Sequence, residues 1–456
     1  MDFIYDFERF HRNYSNKKIG VFFHTSLVQE SLENLKSFFQ RKKTNVFTYL
    51  PENCVYELKL LSQHSNIPIF REKASLLLDY CSTNNAWSYR GICSNKNTFL
   101  SSYHCDIAIF VFYEPAAAAD FSKKMGNQSY VYILSYDPYD NNLIINSAIP
   151  IGENIRRVCK PLNNTPSQTP YKPEDLLVVK DRSRNTIKSF KMSELKNFHG
   201  GGEAILFTTP SLPGKLLKVY KFSLGDNMVN KLRLLITFSA LFSGCVLPTE
   251  LLYLKGRCVG YVMNKVEGMD LGCVLSDYNE VQRKQLIKDI SVLLLELRMA
   301  QFIATDLSAG NIHIGKDGKI RVIDCDSMEF YQYPGGGITP PYGHPDITDD
   351  YFYNKLRNSE HVNFSYAVML FEILLGWKNP LLQKGLGDVD PEWHKHKFPY
   401  ANSNGCGVSA HGVCVNEAKL QEWCRQPLAI REGFVNVFTF QTTYDIGEWI
   451  KRIGII

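Results

Sequence analysis

The chain has 456 residues, room for two or three domains, and at 45% hydrophobic, 13% aromatic and 21% charged it excludes the disordered, collagen-like and fibrous classes. A balance of 51 basic against 46 acidic residues leaves a net charge of +5, too small over this length to argue for a nucleic-acid or membrane partner. The 12 cysteines form no dense framework and the N-terminus has no basic start before an apolar core, so free thiols and a cytoplasmic location are expected.

The first strand signal is the apolar run at 19–23, followed by Leu27, Leu35 and Phe38 at helical spacing and a second strand signal at 46–49. Residues 107–112 are apolar throughout, as a strand covered on both faces should be. After a helix former at 116–119 the theme repeats at 131–134. The alternation predicts a three-layer, Rossmann-like α/β domain over residues 1–160. No glycine fingerprint follows its first strand, and Thr25 and Ser26 lack the aspartates of a metal site. His24 and Asp106 stand at strand ends, where structural roles outnumber functional ones. A sensor or a partner-binding module are both open readings of this half.

Pro166, Pro170 and Pro173 among polar residues predict a linker and lead-in over 161–189. The charge-free stretch 234–249 is too short to span a membrane and reads as a buried helix entering a loop. Residues 281–299 carry apolar positions at helical spacing, and 364–375 are apolar nearly all round, as a central buried helix would be. His394, His396, Cys406, His411, Cys414 and Cys424 gather in a loop-rich stretch without a Cys-x-x-Cys knuckle, so a metal-free insertion is the default there.

The chemistry concentrates between 302 and 327. Asp306 precedes Asn311 by five positions and Asn311 precedes Asp324 by thirteen, with a hairpin turning at Lys316, Asp317 and Gly318 between the last two. Upstream lie a glycine triplet at Gly200, Gly201 and Gly202 followed by Glu203 and Ala204, then a strand in which alternation turns Lys218 to the side of Leu216 and Tyr220. A further strand runs through Met263 to Lys265 and Val266.

This order resembles the protein-kinase superfamily over residues 190–456. Details such as Ile323-Asp-Cys-Asp-Ser327 and the late Glu448-Trp449 look like bacterial Ser/Thr-kinase-like proteins with accessory modules, including the helix-hairpin-helix and tellurite-resistance-associated types. The resemblance implies an α+β two-lobed fold, with an N-lobe at 190–268 and a C-lobe at 269–456, that binds ATP and Mg²⁺ and phosphorylates protein Ser/Thr hydroxyls, its own included. It gives Asp306 the role of base and Lys218 that of phosphate-binding lysine. Gly200, Gly201, Gly202, Glu203 and Ala204 would cover the phosphates, Met263, Lys265 and Val266 would meet the adenine, and Asn311 and Asp324 would hold the metal. A nucleotide-gated scaffold or pseudokinase, and an enzyme acting on a small molecule or transferring a nucleotide, are the alternatives.

Departures from the pattern are specific. Thr305 stands in place of the arginine before the base, Ser308 in place of the phosphate lysine, and Asn230 near the position of the glutamate that would pair with the active lysine. Asp326 replaces the glycine after the metal aspartate, and Gly335, Gly336 and Gly337 predict a mobile loop.

Overall fold

The computed structural model describes residues 3–41, 44–82, 105–113, 118, 121, 131–136, 143–147, 160–166, 171–330, 332–339, 342–344, 346–347, 356–357, 359–376, 398, 400, 417–439 and 441–455. Two compact units form, one from Met1–Arg157 with Lys284–Phe302 and Asn358–Ile456, the other from Val158–Arg283 with Ile303–Arg357. They divide the chain after residues 157, 283, 302 and 357.

The first unit is built on a five-stranded sheet in the order β2-β1-β3-β4-β5. Strands β1 (Ile19–Phe23), β2 (Val46–Tyr49), β3 (Ile107–Phe112) and β4 (Val131–Tyr136) are parallel, and β5 (Leu143–Ser147) runs antiparallel to β4. Every residue of β1 and β3 is buried, which is why both read as unbroken apolar runs. Parallel neighbours need crossovers, and helix Leu32–Gln40 supplies one between β1 and β2. Its first turn is capped by the Ser31 hydroxyl, which accepts from the Asn34 N–H at 3.1 Å.

Side chains from distant parts of the sequence explain why the C-terminal helices share this unit. Helix Glu52–His64 turns Glu57 inward until it is 1% exposed, and there it pairs with Arg298 of helix Glu280–Met299 and accepts from the Thr25 hydroxyl and the Gly447 N–H. Asn53 donates to Asp445 at 2.5 Å and Lys451 to Glu52 at 2.6 Å. The Ser65 hydroxyl donates to Glu296 at 2.8 Å. Helix Ser359–Leu375 contributes Phe364, Met369 and Phe371, none of them exposed, to a core shared with Trp423, Phe434 and Trp449.

In the second unit a two-stranded ribbon pairs β6 (Thr165–Pro166) with β12 (Phe222–Ser223). The main sheet has the order β8-β7-β13-β14-β11-β10-β9, every neighbour antiparallel. Its strands are β7 (Leu176–Lys180), β8 (Thr186–Lys191), β9 (Lys196–Gly200), β10 (Ala204–Thr208), β11 (Lys215–Tyr220), β13 (Pro248–Leu254) and β14 (Arg257–Asn264). The span expected to be linker and lead-in therefore carries β7 and the start of β8. Alternation divides β11: Leu217 and Val219 enter a core with Leu177, Val179, Phe190, Leu252 and Val262, and Lys218 and Tyr220 face the other way. Helix Asp226–Phe238 follows, then the hairpin Ile312–Gly315 and Ile320–Val322, whose turn uses Gly318 at φ 73°.

Two expectations need correction here. Cys424 is disulfide-bonded, so thiols are not free throughout, although Cys54, Cys105, Cys245, Cys258, Cys273 and Cys325 are. Gly335 is packed: a Cβ there would meet the Thr305 Oγ1 at 2.4 Å and the Ser327 carbonyl oxygen at 2.8 Å, so this glycine serves close approach and not mobility. His394, His396, Cys406, His411, Cys414 and the helix former at 116–117 and 119 lie outside the described residues. Among those described, no helix is long and apolar enough to cross a membrane.

Candidate active site

A cleft of about 310 Å³ in the second unit is lined by Gly201, Gly202, Glu203, Ala204, Lys218, Asp306, Asp324 and Asp326, among others. The glycine loop, the strand lysine and the two aspartates expected to act together are thus brought to one place. Asn311 stands behind Asp306. Gly200, Met263, Lys265 and Val266 are not in the lining.

Lys218 occupies the middle of β11, where Tyr261 of β14 is its cross-strand neighbour. Its Nζ lies 2.9 and 3.0 Å from the two oxygens of Asp326 and 3.3 Å from Asp324 Oδ1. Burial alone would lower the Lys218 pKa, but Asp326 and Asp324 outweigh it and hold the ammonium well above its ordinary value. The Asp326 carboxylate also accepts from the Tyr261 hydroxyl at 2.6 Å and from the Tyr220 hydroxyl. Burial pushes its pKa up, and Lys218 with the two phenols brings it below the usual carboxylate value. Gly260 makes this arrangement possible, since a Cβ there would strike the Lys218 carbonyl oxygen at 1.9 Å.

Asp306 is held on both oxygens. Asn311 Nδ2 donates to Oδ2 at 2.9 Å, and Thr339 donates to Oδ1 through its N–H at 2.7 Å and its hydroxyl at 2.9 Å. The hairpin sets the rest: the Ile323 N–H donates to the Asn311 carbonyl at 2.9 Å, which lays Asn311 beside the approach to Asp324. Asp324 adopts a left-handed backbone (φ 53°, ψ 37°), a region that side chains other than glycine seldom occupy, and its carbonyl is fixed by the Ser327 N–H and hydroxyl. Its side chain remains 44% exposed.

Near Asp306, Arg357 is buried and donates to the Thr305 carbonyl at 2.5 Å and the Gly337 carbonyl at 2.8 Å, joining these two segments. Burial lowers its pKa to about 10. Helix Asp226–Phe238 sends Lys231 inward, where its Nζ donates to the carbonyls of Asp326 at 2.8 Å and Pro334 at 2.9 Å, while Asn230 is exposed and bonded to Arg233. Tyr220, Tyr261, Lys231 and Arg357 were not anticipated as members of the site. For Tyr261 a signal existed, because antiparallel pairing of 215–220 with 259–264 sets it opposite Lys218.

Cβ atoms at Gly200 and Gly202 would meet nothing within 4 Å and one at Gly201 only the Ala204 carbonyl at 3.6 Å, and none of the three has positive φ. No protein atom therefore requires a glycine at these three positions. Met263 pairs with Leu216 on one side and Pro248 on the other, so its strand is no edge, and the Lys265 N–H is already donated to the Gly214 carbonyl at 2.8 Å.

Among the described residues, no group of three or more His, Cys, Asp or Glu side chains forms a metal cage. Asp324 and Asn311 nevertheless fit Mg²⁺ carried on phosphates, because that ion takes one or two protein oxygens and completes its shell with phosphate and water. Asn311 donates its amide nitrogen to the Asp306 carbonyl and carboxylate, each at 2.9 Å, so its oxygen is the end that could serve such an ion.

No protein-family model matches the chain, and no curated protein does. Two solved kinase domains are similar to it. The Cydia pomonella granulovirus kinase PK-1 aligns at a TM-score of 0.40 and 12% identity, over 57% of this chain and 94% of that one. The ROP18 kinase domain, solved with AMP-PNP and sucrose, aligns at 0.36 and 15%, over 63% and 86%. Likeness at this level carries no functional weight.

Proposed function

We propose that the cleft transfers the terminal phosphoryl group of ATP to the hydroxyl of a protein Ser or Thr, including residues of this chain. The observation that carries the reading is the Thr339 hydroxyl, which donates to Asp306 Oδ1 at 2.9 Å: an alcohol reaches this carboxylate in hydrogen-bonding geometry within a cleft that also holds Lys218 and Asp324. In the reaction Asp306 would accept the proton of the attacking hydroxyl as its oxygen bonds to phosphorus and the bond to the ADP oxygen breaks. Lys218 would bind phosphate oxygens, and the backbone at Gly200, Gly201 and Gly202 would let them approach. Mg²⁺ on Asn311 and Asp324 would offset the charge of the transferring group. Two carboxylates beside one lysine leave an excess negative charge that favours such a cation.

The parallel sheet of the first unit would serve as a Rossmann-like sensor or partner-binding module of a cytoplasmic enzyme. The test is transfer of labelled phosphate from ATP and Mg²⁺ to a generic substrate or to the chain itself. Asp306→Asn should lower transfer by about 10²- to 10⁴-fold while ATP still binds. Binding of ATP with no transfer by the parent protein would favour the nucleotide-gated scaffold instead.

A further inference from the structure

Resting on the phosphotransfer reading, we propose that Asp326 is the positioning residue for Lys218, and that its carboxylate does the work usually expected of an acid on the helix that packs behind such a lysine. The helix cannot supply that acid. In Asp226–Phe238 the one carboxylate is Asp226 in the first turn, and the residue that the helix points into the site is a lysine, Lys231.

Asp326 is built to hold. Its two oxygens sit 2.9 and 3.0 Å from Lys218 Nζ, and the Tyr261 and Tyr220 hydroxyls take one oxygen each. With both oxygens engaged and the residue 5% exposed, the carboxylate has no freedom to rotate. Its backbone is fixed too, because Lys231 donates to its carbonyl and to that of Pro334. Asp324, two residues earlier, touches the same lysine at the longer distance of 3.3 Å and keeps its side chain 44% exposed. One aspartate therefore holds the lysine and the other faces the cleft. The segment that carries the metal-binding residue also orients the phosphate-binding one, so Lys218 takes its position without a carboxylate from the helix.

The experiment compares the whole 456-residue chain with Asp326→Asn, which preserves shape, and with the Tyr220→Phe/Tyr261→Phe pair, which loosens Asp326 without altering its charge. Acylation of each lysine by an amine-reactive ester at one pH is read by mass spectrometry, beside ATP turnover. Labelling of Lys218 should rise about tenfold in Asp326→Asn, and less in the tyrosine pair, with Lys215 and Lys221 unchanged. Turnover should fall about 10²-fold in kcat with a smaller change in KM for ATP. Unchanged Lys218 labelling in both variants would overturn the proposal, as would a rise shared by every lysine, which would mean general unfolding. If the parent protein neither binds nor turns over ATP, the phosphotransfer reading fails, and the labelling ratio by itself still decides whether Asp326 holds Lys218.

Discussion

Glu57 with Arg298 in the first unit and Lys218 with Asp326 in the second are both cations buried against carboxylates, yet their surroundings differ. Around Glu57 the remaining acceptor capacity goes to the Thr25 hydroxyl and the Gly447 N–H, so the charge is closed off by parts of the chain that lie far apart in sequence. Burial raises the Glu57 pKa, and Arg298 opposes that shift. Around Lys218 a second carboxylate, Asp324, leaves the charge unbalanced and open to a cleft. A closed pair joins segments of the chain, whereas an open pair with surplus charge waits for a ligand.

Breaking each pair should therefore have opposite signatures. Arg298→Met leaves Glu57 buried without its cation and should cost about 3–5 kcal/mol in urea denaturation. Acidification should relieve part of that loss, since a carboxylate with a raised folded pKa gains stability as pH falls and it protonates. Lys218→Met should instead cut phosphate transfer by about 10²–10³-fold while costing less stability, because Asp324 and Asp326 line a cleft that water can enter. If Lys218→Met destabilises as much as Arg298→Met and leaves transfer intact, the distinction collapses.

Lys231 sharpens the comparison through pH. Burial lowers its pKa to about 7, against the pull of Asp326 and Glu329 and with the help of Arg357 and Lys218. The unfolded chain binds the proton up to the ordinary value of 10.5, so between about 7 and 10.5 it holds more protons than the folded one. Stability should rise with pH across that window and be lowest below it. Lys231→Met should flatten the dependence, as read from melting temperature against pH. Tyr261→Phe, which removes one phenol from Asp326, should cost about 1 kcal/mol. Gly202→Ala should leave stability within about 0.5 kcal/mol and raise KM for ATP, since a methyl there meets no protein atom.

Much of the site was legible because it is local. Strand alternation put Lys218 on the face opposite Leu217 and Val219, and the spacing of Asp306, Asn311 and Asp324 around an Asp-Gly turn required the hairpin that the structure contains. The helix was misjudged by one position, because Asn230 and Lys231 are adjacent and only packing decides which of them points inward. Asp326 registered as an extra carboxylate, but its partner lies 108 residues away, and no local pattern names it. The same holds for Glu57 and Arg298, 241 residues apart, whose contact joins helix Glu52–His64 to helix Glu280–Met299 within the first unit.

The most direct measurement is the intact mass of the whole chain after incubation with ATP and Mg²⁺, in parallel with Asp324→Ala. A gain of phosphate mass by the parent protein, absent from the variant, is the predicted result. A gain of a whole nucleotide, or no gain in the parent on itself or on any added protein substrate, would contradict phosphoryl transfer at this cleft.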